Sequence, residues 1–303
     1  MITNEEIIEI AESVNDNIWD SMKFSARKAY CCSILSELAY LHIPEYEREG
    51  IDRVKIVPCK KYWEIISSDE SSELRNIMSR NGMFNEYLKI VFTIETRKMI
   101  IIGIKCKDVL FISLRGTHEL YKDNNVNRKI SKVKIYKNVK VHSGFFREVS
   151  KICGKIIDEL MVHADINTSV IFTGHSLGGA LASILYNHCY PIFCKLISCP
   201  HHKACCYSFG KPRIGNFEYE SNYEYGYQYH ILNKVDVIPT VPPRIFGYSD
   251  SRNEFYLTQD SLDAILIREK FKKLAWLRQI KNKLNNHRIG EYKRQLWLKF
   301  HKL

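Results

Sequence analysis

The chain predicts an α/β fold: a mainly parallel, doubly wound sheet flanked by helices, with a helical N-terminal region and a basic helical insertion before His287. Three observations carry this expectation. Short Ile/Val/Phe-rich runs alternate with segments whose apolar residues recur at helical spacing, the pattern of strand–helix–strand units. The run Val170-Ile171-Phe172-Thr173 passes through Gly174-His175-Ser176-Leu177-Gly178 into Gly179-Ala180-Leu181-Ala182, a strand entering a helix by a tight turn. A length of 303 residues, 45% hydrophobic and 26% charged, suits a globular chain that buries one full core. No repeat, low-complexity tract or linker divides it, so residues 1–303 read as one domain.

In order, residues 4–42 read as mostly helical: Ile7, Ile10, Ala11 and Val14 share one face, and Ala29, Cys32, Leu35, Ser36 and Ala39 another. A short extended piece is expected at 54–58, and a polar helix and loop at 67–82. Residues 87–96, 99–105 and 108–114 read as adjacent strands, the first two an antiparallel pair. The polar, basic stretch 118–140 carries no strand signal, and a helix is expected from 146 to 161. After the helix that follows Ser176, residues 189–203 read as irregular and rich in Cys and His. Strands are expected at 204–209 and 227–233.

Net charge is +11, and twelve Lys and Arg against three acidic residues from 261 onward account for +9 of it. Within this segment Leu262, Ile265, Leu266, Phe271, Leu274, Leu277, Ile280 and Leu284 recur near helical spacing. A basic amphipathic helix of this kind reads as a peripheral contact with an anionic membrane through residues 261–303, or as a core-packed surface helix with a solvated charged face. No nucleic-acid motif accompanies the basicity, so no nucleic-acid partner is expected.

The N-terminus, Met1-Ile2-Thr3-Asn4-Glu5-Glu6, is acidic where an export signal is basic and then apolar. No run approaches the ~20 apolar residues of a membrane span. The expectation is a cytoplasmic protein, peripheral at membranes, whose ten cysteines are thiols. His188, Cys189, Cys194, Cys199, His201, His202, Cys205 and Cys206 suggest zinc, but they lack paired Cys-x-x-Cys spacing. No metal and no cofactor are expected.

Five blocks occur in order: Arg115-Gly116-Thr117, His142-Ser143-Gly144-Phe145, Gly174-His175-Ser176-Leu177-Gly178-Gly179-Ala180, Phe209-Gly210-Lys211-Pro212-Arg213-Ile214-Gly215-Asn216 and Val235-Asp236-Val237-Ile238-Pro239. The series resembles the fungal-type class 3 lipases over roughly residues 85–292. The resemblance implies an α/β-hydrolase fold and a serine hydrolase cleaving carboxylic esters of lipids, as a triacylglycerol lipase or a phospholipase A1 does. A lipase-like fold kept as a catalytically silent binding or regulatory module is the alternative.

Ester hydrolysis needs a nucleophilic hydroxyl, a base and donors for the oxyanion. Ser176 is the nucleophile candidate, with a helix N-cap serine as the structural alternative. Asp236 follows a predicted strand and precedes the turning segment Ile238-Pro239-Thr240-Val241-Pro242-Pro243, which suits an acid that orients a histidine; a surface-loop aspartate is the bland reading. The α/β-hydrolase order Ser, Asp, His leaves His287 and His301. His287 precedes an aromatic as in the family and is chosen. Leu177, next after the nucleophile, supplies one oxyanion N–H, and the resemblance assigns the second to Thr117. His142 and His175 read as loop supports, and Arg213 as a loop-bracing or ion-pair residue. Two departures stand out. Residues 119–129 are polar where the family carries an amphipathic lid, and fifty residues lie between Asp236 and His287.

Overall fold

The computed structural model describes residues 2–40, 55–56, 88–96, 99–115, 130–198, 203–223, 226–233, 236–257 and 287–300. In chain order the strands are β1 (Lys55–Ile56), β2 (Lys89–Glu95), β3 (Ile100–Cys106), β4 (Val109–Leu114), β5 (Lys132–Tyr136), β6 (Val139–His142), β7 (Ser169–His175), β8 (Ala204–Phe209), β9 (Gln228–Asn233) and β10 (Glu254–Leu257). The α-helices are α1 (Asn4–Asn15), α2 (Ala26–Leu38), α3 (Ser143–His163), α4 (Leu177–Ile197), α5 (Phe217–Asn222) and α6 (Ile289–Phe300).

One sheet runs β1-β2-β3-β4-β7-β8-β9-β10, and β5 and β6 form a separate hairpin. From β4 to β10 every neighbouring pair is parallel, while β1 to β4 pair antiparallel. Every residue of β4, β7, β8 and β9 is buried, as parallel strands covered on both faces require. One face packs under α1, α2 and α6 through Ile10, Leu35, Phe111 and Tyr292. The other packs under α3 and α4 through Ile112, Ile152, Phe172 and Leu185.

Local sequence explains the helix starts. Thr3 and Glu6 form a reciprocal capping box on α1, and the Ser25 side chain caps α2 by accepting from the Lys28 N–H. His142 begins α3, its Nδ1 accepting from the N–H groups of Gly144 and Phe145. Burial lowers the His142 pKa to about 4, which keeps that nitrogen an acceptor.

Three expectations change. Residues 189–197 are helical, not irregular: α4 continues through Pro191. Burial of Tyr190, Phe193 and Cys194 against the sheet outweighs the ~3 kcal/mol that an interior proline costs. The cysteines are not all thiols, because α3 and α4 lie side by side and bring the Cα atoms of Cys153 and Cys189 to 5.8 Å, joined as a disulfide. The stretch 118–140 contains a strand that its lysines concealed, since β5 pairs with β6 about a turn at Lys137, where φ is +41°. Strand β10 and helices α5 and α6 complete the fold without having been singled out beforehand. The expected helix at 67–82 and most of the basic segment 261–303 lie outside the described residues.

Candidate active site

Three chain segments meet beyond the carboxyl ends of the parallel strands, where open α/β sheets bind their ligands. Ser176 ends β7 and starts α4 with φ +57° and ψ −127°, a conformation rare for a residue with a side chain. Small neighbours make that turn possible. A Cβ on Gly174 would lie 2.5 Å from the Gly178 carbonyl carbon, and one on Gly179 would lie 2.8 Å from the Gly174 oxygen. Ser176 makes no capping hydrogen bond to α4, so the N-cap reading does not describe it. Its Oγ instead lies 2.8 Å from His287 Nε2.

His287 Nδ1 lies 2.7 Å from Asp236 Oδ2. Asp236 is buried rather than a surface-loop residue. Its Oδ1 accepts from the Ile238 N–H at 2.9 Å, and its Oδ2 accepts a second bond, from the Tyr292 hydroxyl, at 2.6 Å. Since the carboxylate is an acceptor only, Nδ1 carries the imidazole proton and Nε2 is left to accept from the serine hydroxyl. Burial, then the Asp236 charge, holds the Tyr292 phenol well above its ordinary pKa, so it remains a donor. That hydroxyl also accepts from the Asn233 N–H at 3.1 Å, tying α6 to the end of β9.

A second layer fixes His287 from behind. His175 Nε2 donates to the His287 carbonyl oxygen at 2.5 Å, which leaves its Nδ1 to accept from the Tyr40 hydroxyl at 2.9 Å. Burial, followed by the neighbouring His287, keeps the His175 pKa well below 6.5, so it stays neutral. Tyr40 sits just beyond α2 and lies under the Arg115 guanidinium, 5.9 Å from its ring centre. Gly210 closes the remaining side. With φ at +56°, it would place a Cβ 2.7 Å from Asp236 Oδ2 and 3.1 Å from His287 Nδ1.

Leu177 is the first residue of α4, so its N–H is one of the helix-start donors that lack an intrahelical acceptor. Thr117 lies outside the described residues, as do Cys199, His201, His202 and His301. Of the other residues in the zinc reading, Cys189 is in the disulfide and Cys205 and Cys206 lie within the central strand β8. Burial pushes the Cys206 thiol up to about 12, far from the thiolate a metal would need. Among the described residues no three His, Cys, Asp or Glu side chains are grouped to hold a metal ion. Arg213 braces the loop after Asp236, donating to the carbonyls of Thr240 and Pro242 and pairing with Asp250 at 2.6 Å.

Of three further contributors, Tyr40 carried no sequence signal, Gly210 stood in the block Phe209–Asn216 without a role of its own, and Tyr292 was marked only by its position five residues after His287.

A strained serine hydrogen-bonded to an imidazole, itself held by a buried carboxylate at parallel strand ends, is the arrangement of a serine-hydrolase site. Residues 111–246 match the family described as lipase (class 3). A secreted mono- and diacylglycerol lipase of Fusarium solani is 29% identical over 128 residues, 41% of this chain and 36% of that protein. A second secreted mono- and diacylglycerol lipase, of Malassezia globosa, is 27% identical over 130 residues, 41% of this chain and 40% of that protein. The chain thus spans well under half the length of these two relatives. The crystal structure of a mono- and diacylglycerol lipase from Aspergillus oryzae superposes with a TM-score of 0.55 at 14% identity, covering 80% of this chain and 82% of that one. That likeness shows the α/β-hydrolase fold. The two relatives named as secreted overturn the cytoplasmic expectation drawn from the N-terminus. The Cys153–Cys189 bridge runs against it too, since disulfides persist in oxidising compartments.

Proposed function

We propose that the protein hydrolyses carboxylic esters of lipids through an acyl-enzyme on Ser176. The observation that carries this reading is the unbroken chain of bonds from Ser176 Oγ to His287 Nε2 at 2.8 Å and from His287 Nδ1 to Asp236 Oδ2 at 2.7 Å. In the reaction His287 takes the serine proton as Oγ attacks the ester carbonyl. The same nitrogen then protonates the departing alcohol, while Asp236 stabilises the transient imidazolium. The N–H groups of Leu177 and Thr117 would hold the tetrahedral oxyanion, each removal costing about 10²–10³ in kcat. Water activated by His287 releases the acid and restores Ser176.

The Fusarium and Malassezia relatives, named as mono- and diacylglycerol lipases, make acylglycerols the first substrates to test, with phospholipids cleaved at the A1 ester as the competing class. Rates of the wild type and Ser176→Ala on a monomeric short-chain ester, a diacylglycerol emulsion and phosphatidylcholine vesicles decide between them. The expected result is Ser176-dependent release of fatty acid, fastest from the acylglycerol. Equal turnover by Ser176→Ala on every substrate would overturn the reading.

A further inference from the structure

The hairpin of β5 and β6 stands apart from the main sheet and concentrates charge of one sign. Residues 130–147 contain Lys132, Lys134, Lys137, Lys140 and Arg147 and no acidic residue. Lys134 and Lys140 face each other directly across the ladder, and both are exposed. Like charges so placed destabilise a hairpin unless an anion lies over them. Burial, and then the charge of Lys140, lowers the Lys132 pKa, a sign of the same crowding. The nearby carboxylates are engaged elsewhere. Glu148 pairs with Arg147 and Lys151, and Asp250 with Arg213 and Arg244. Glu218 accepts from the Asn216 amide. None of Lys134, Lys137 and Lys140 forms an ion pair with a described residue.

Apolar groups border this charge. Tyr136, 61% exposed, lies at the hairpin tip under the Lys137 ammonium, which is 5.2 Å from its ring centre. At the other end Ile245 is 87% exposed, beside the half-exposed Phe246 and Ile130. Lys132 donates to the Phe246 carbonyl, and the Tyr248 hydroxyl reaches the Ile130 carbonyl at 3.4 Å. The two parts therefore form one continuous surface. Ile245 lies on the loop after Asp236 that Arg213 braces. Exposed aliphatic and aromatic tips amid unpaired lysines fit a surface that is anionic outside and apolar just beneath.

We propose that the β5–β6 hairpin, together with Ile245 and Phe246, docks the protein on an anionic phospholipid surface. The lysines supply the attraction and the first contact. Ile245, Phe246 and Tyr136 enter the interface. Docking does not depend on turnover at Ser176, so Ser176→Ala binds vesicles as the wild type does even if the hydrolase reading fails.

Cosedimentation of the full chain with phosphatidylcholine vesicles, with or without phosphatidylserine, tests this proposal. The wild type is expected to prefer the phosphatidylserine vesicles and to be released by added salt. Lys134→Glu/Lys137→Glu/Lys140→Glu weakens that binding on the order of a hundredfold, about fivefold for each lysine lost near a charged bilayer. Ile245→Ser/Phe246→Ser weakens it on the order of tenfold. Both variants keep the melting temperature and the rate on a soluble short-chain ester. Undiminished binding by the triple variant overturns the proposal. So does wild-type binding indifferent to phosphatidylserine, or a preference for double-stranded DNA over the anionic vesicles.

Discussion

Ser176 and His287 sit 2.8 Å apart, yet they are held in place by opposite means. The serine is fixed locally: Gly174 and Gly179 let β7 and α4 close to a distance no side chain tolerates, and the turn between them presents Oγ to His287. The histidine is fixed remotely. Its carbonyl is held by His175, which Tyr40 steadies from the end of α2; its ring is held by Asp236, which Tyr292 and the Ile238 N–H steady. A locally built residue tolerates changes elsewhere in the chain, whereas a remotely built one reports on every element that reaches it.

The largest expected effects fall on the reacting groups of both regions and set the scale. Ser176→Ala should lower kcat about 10⁶-fold, and Asp236→Asn about 10⁴-fold by presenting His287 in the wrong tautomer, both read on a monomeric ester. The contrast itself is tested by Gly210→Ala. This substitution leaves the serine turn alone but drives a methyl against Asp236 and His287. A misplacement near 1 Å predicts a loss of about 10²-fold in kcat with little change in KM, and a full-activity result would show that the histidine is not positioned from that side. Tyr292→Phe removes one of three donors to Asp236 and the hydroxyl that accepts from the Asn233 N–H. A fall of about tenfold in kcat and a loss of about 1–2 kcal/mol of stability in urea unfolding are expected.

The smallest effect concerns His175 and pH. The unfolded chain protonates this side chain as pH falls through 6.5, while burial and His287 keep it neutral in the folded protein. The unfolded state therefore binds more protons below pH 6.5, and stability must drop as the solution is acidified from there. In His175→Asn the decline of melting temperature below pH 6.5 should be shallower than in the wild type. An identical slope would mean that His175 titrates normally in the fold.

This division also explains what was legible in the amino-acid order. The serine turn was readable because its cause is adjacent residues: an apolar run, glycines at fixed spacing, then an alanine-rich helix. The parallel strands were readable for the same reason, each a short unbroken apolar run. Strand β5 was not, because Lys132 and Lys134 break up its apolar run, and of its two aliphatic residues only Ile135 packs against the core while Val133 is exposed. Local preference ends helix α4 before residue 189, because it cannot register the buried surface that carries the helix on through Pro191. The Cys153–Cys189 bridge depends on how α3 and α4 pack, which no spacing states. Tyr40 and Tyr292 lie 252 residues apart in the sequence, and only the packing of α2 and α6 on one face of the sheet brings both to the histidine.

The central claim is that Ser176 is a nucleophile activated by His287 and Asp236. It is tested most directly by reacting the protein with a fluorophosphonate and mapping the adduct by peptide mass spectrometry. The account predicts one phosphonylated residue, Ser176, labelled rapidly in the wild type, far more slowly in Asp236→Asn, and not at all in Ser176→Ala. Absence of label on Ser176 in the folded wild-type protein, or equal labelling in Asp236→Asn, would contradict it.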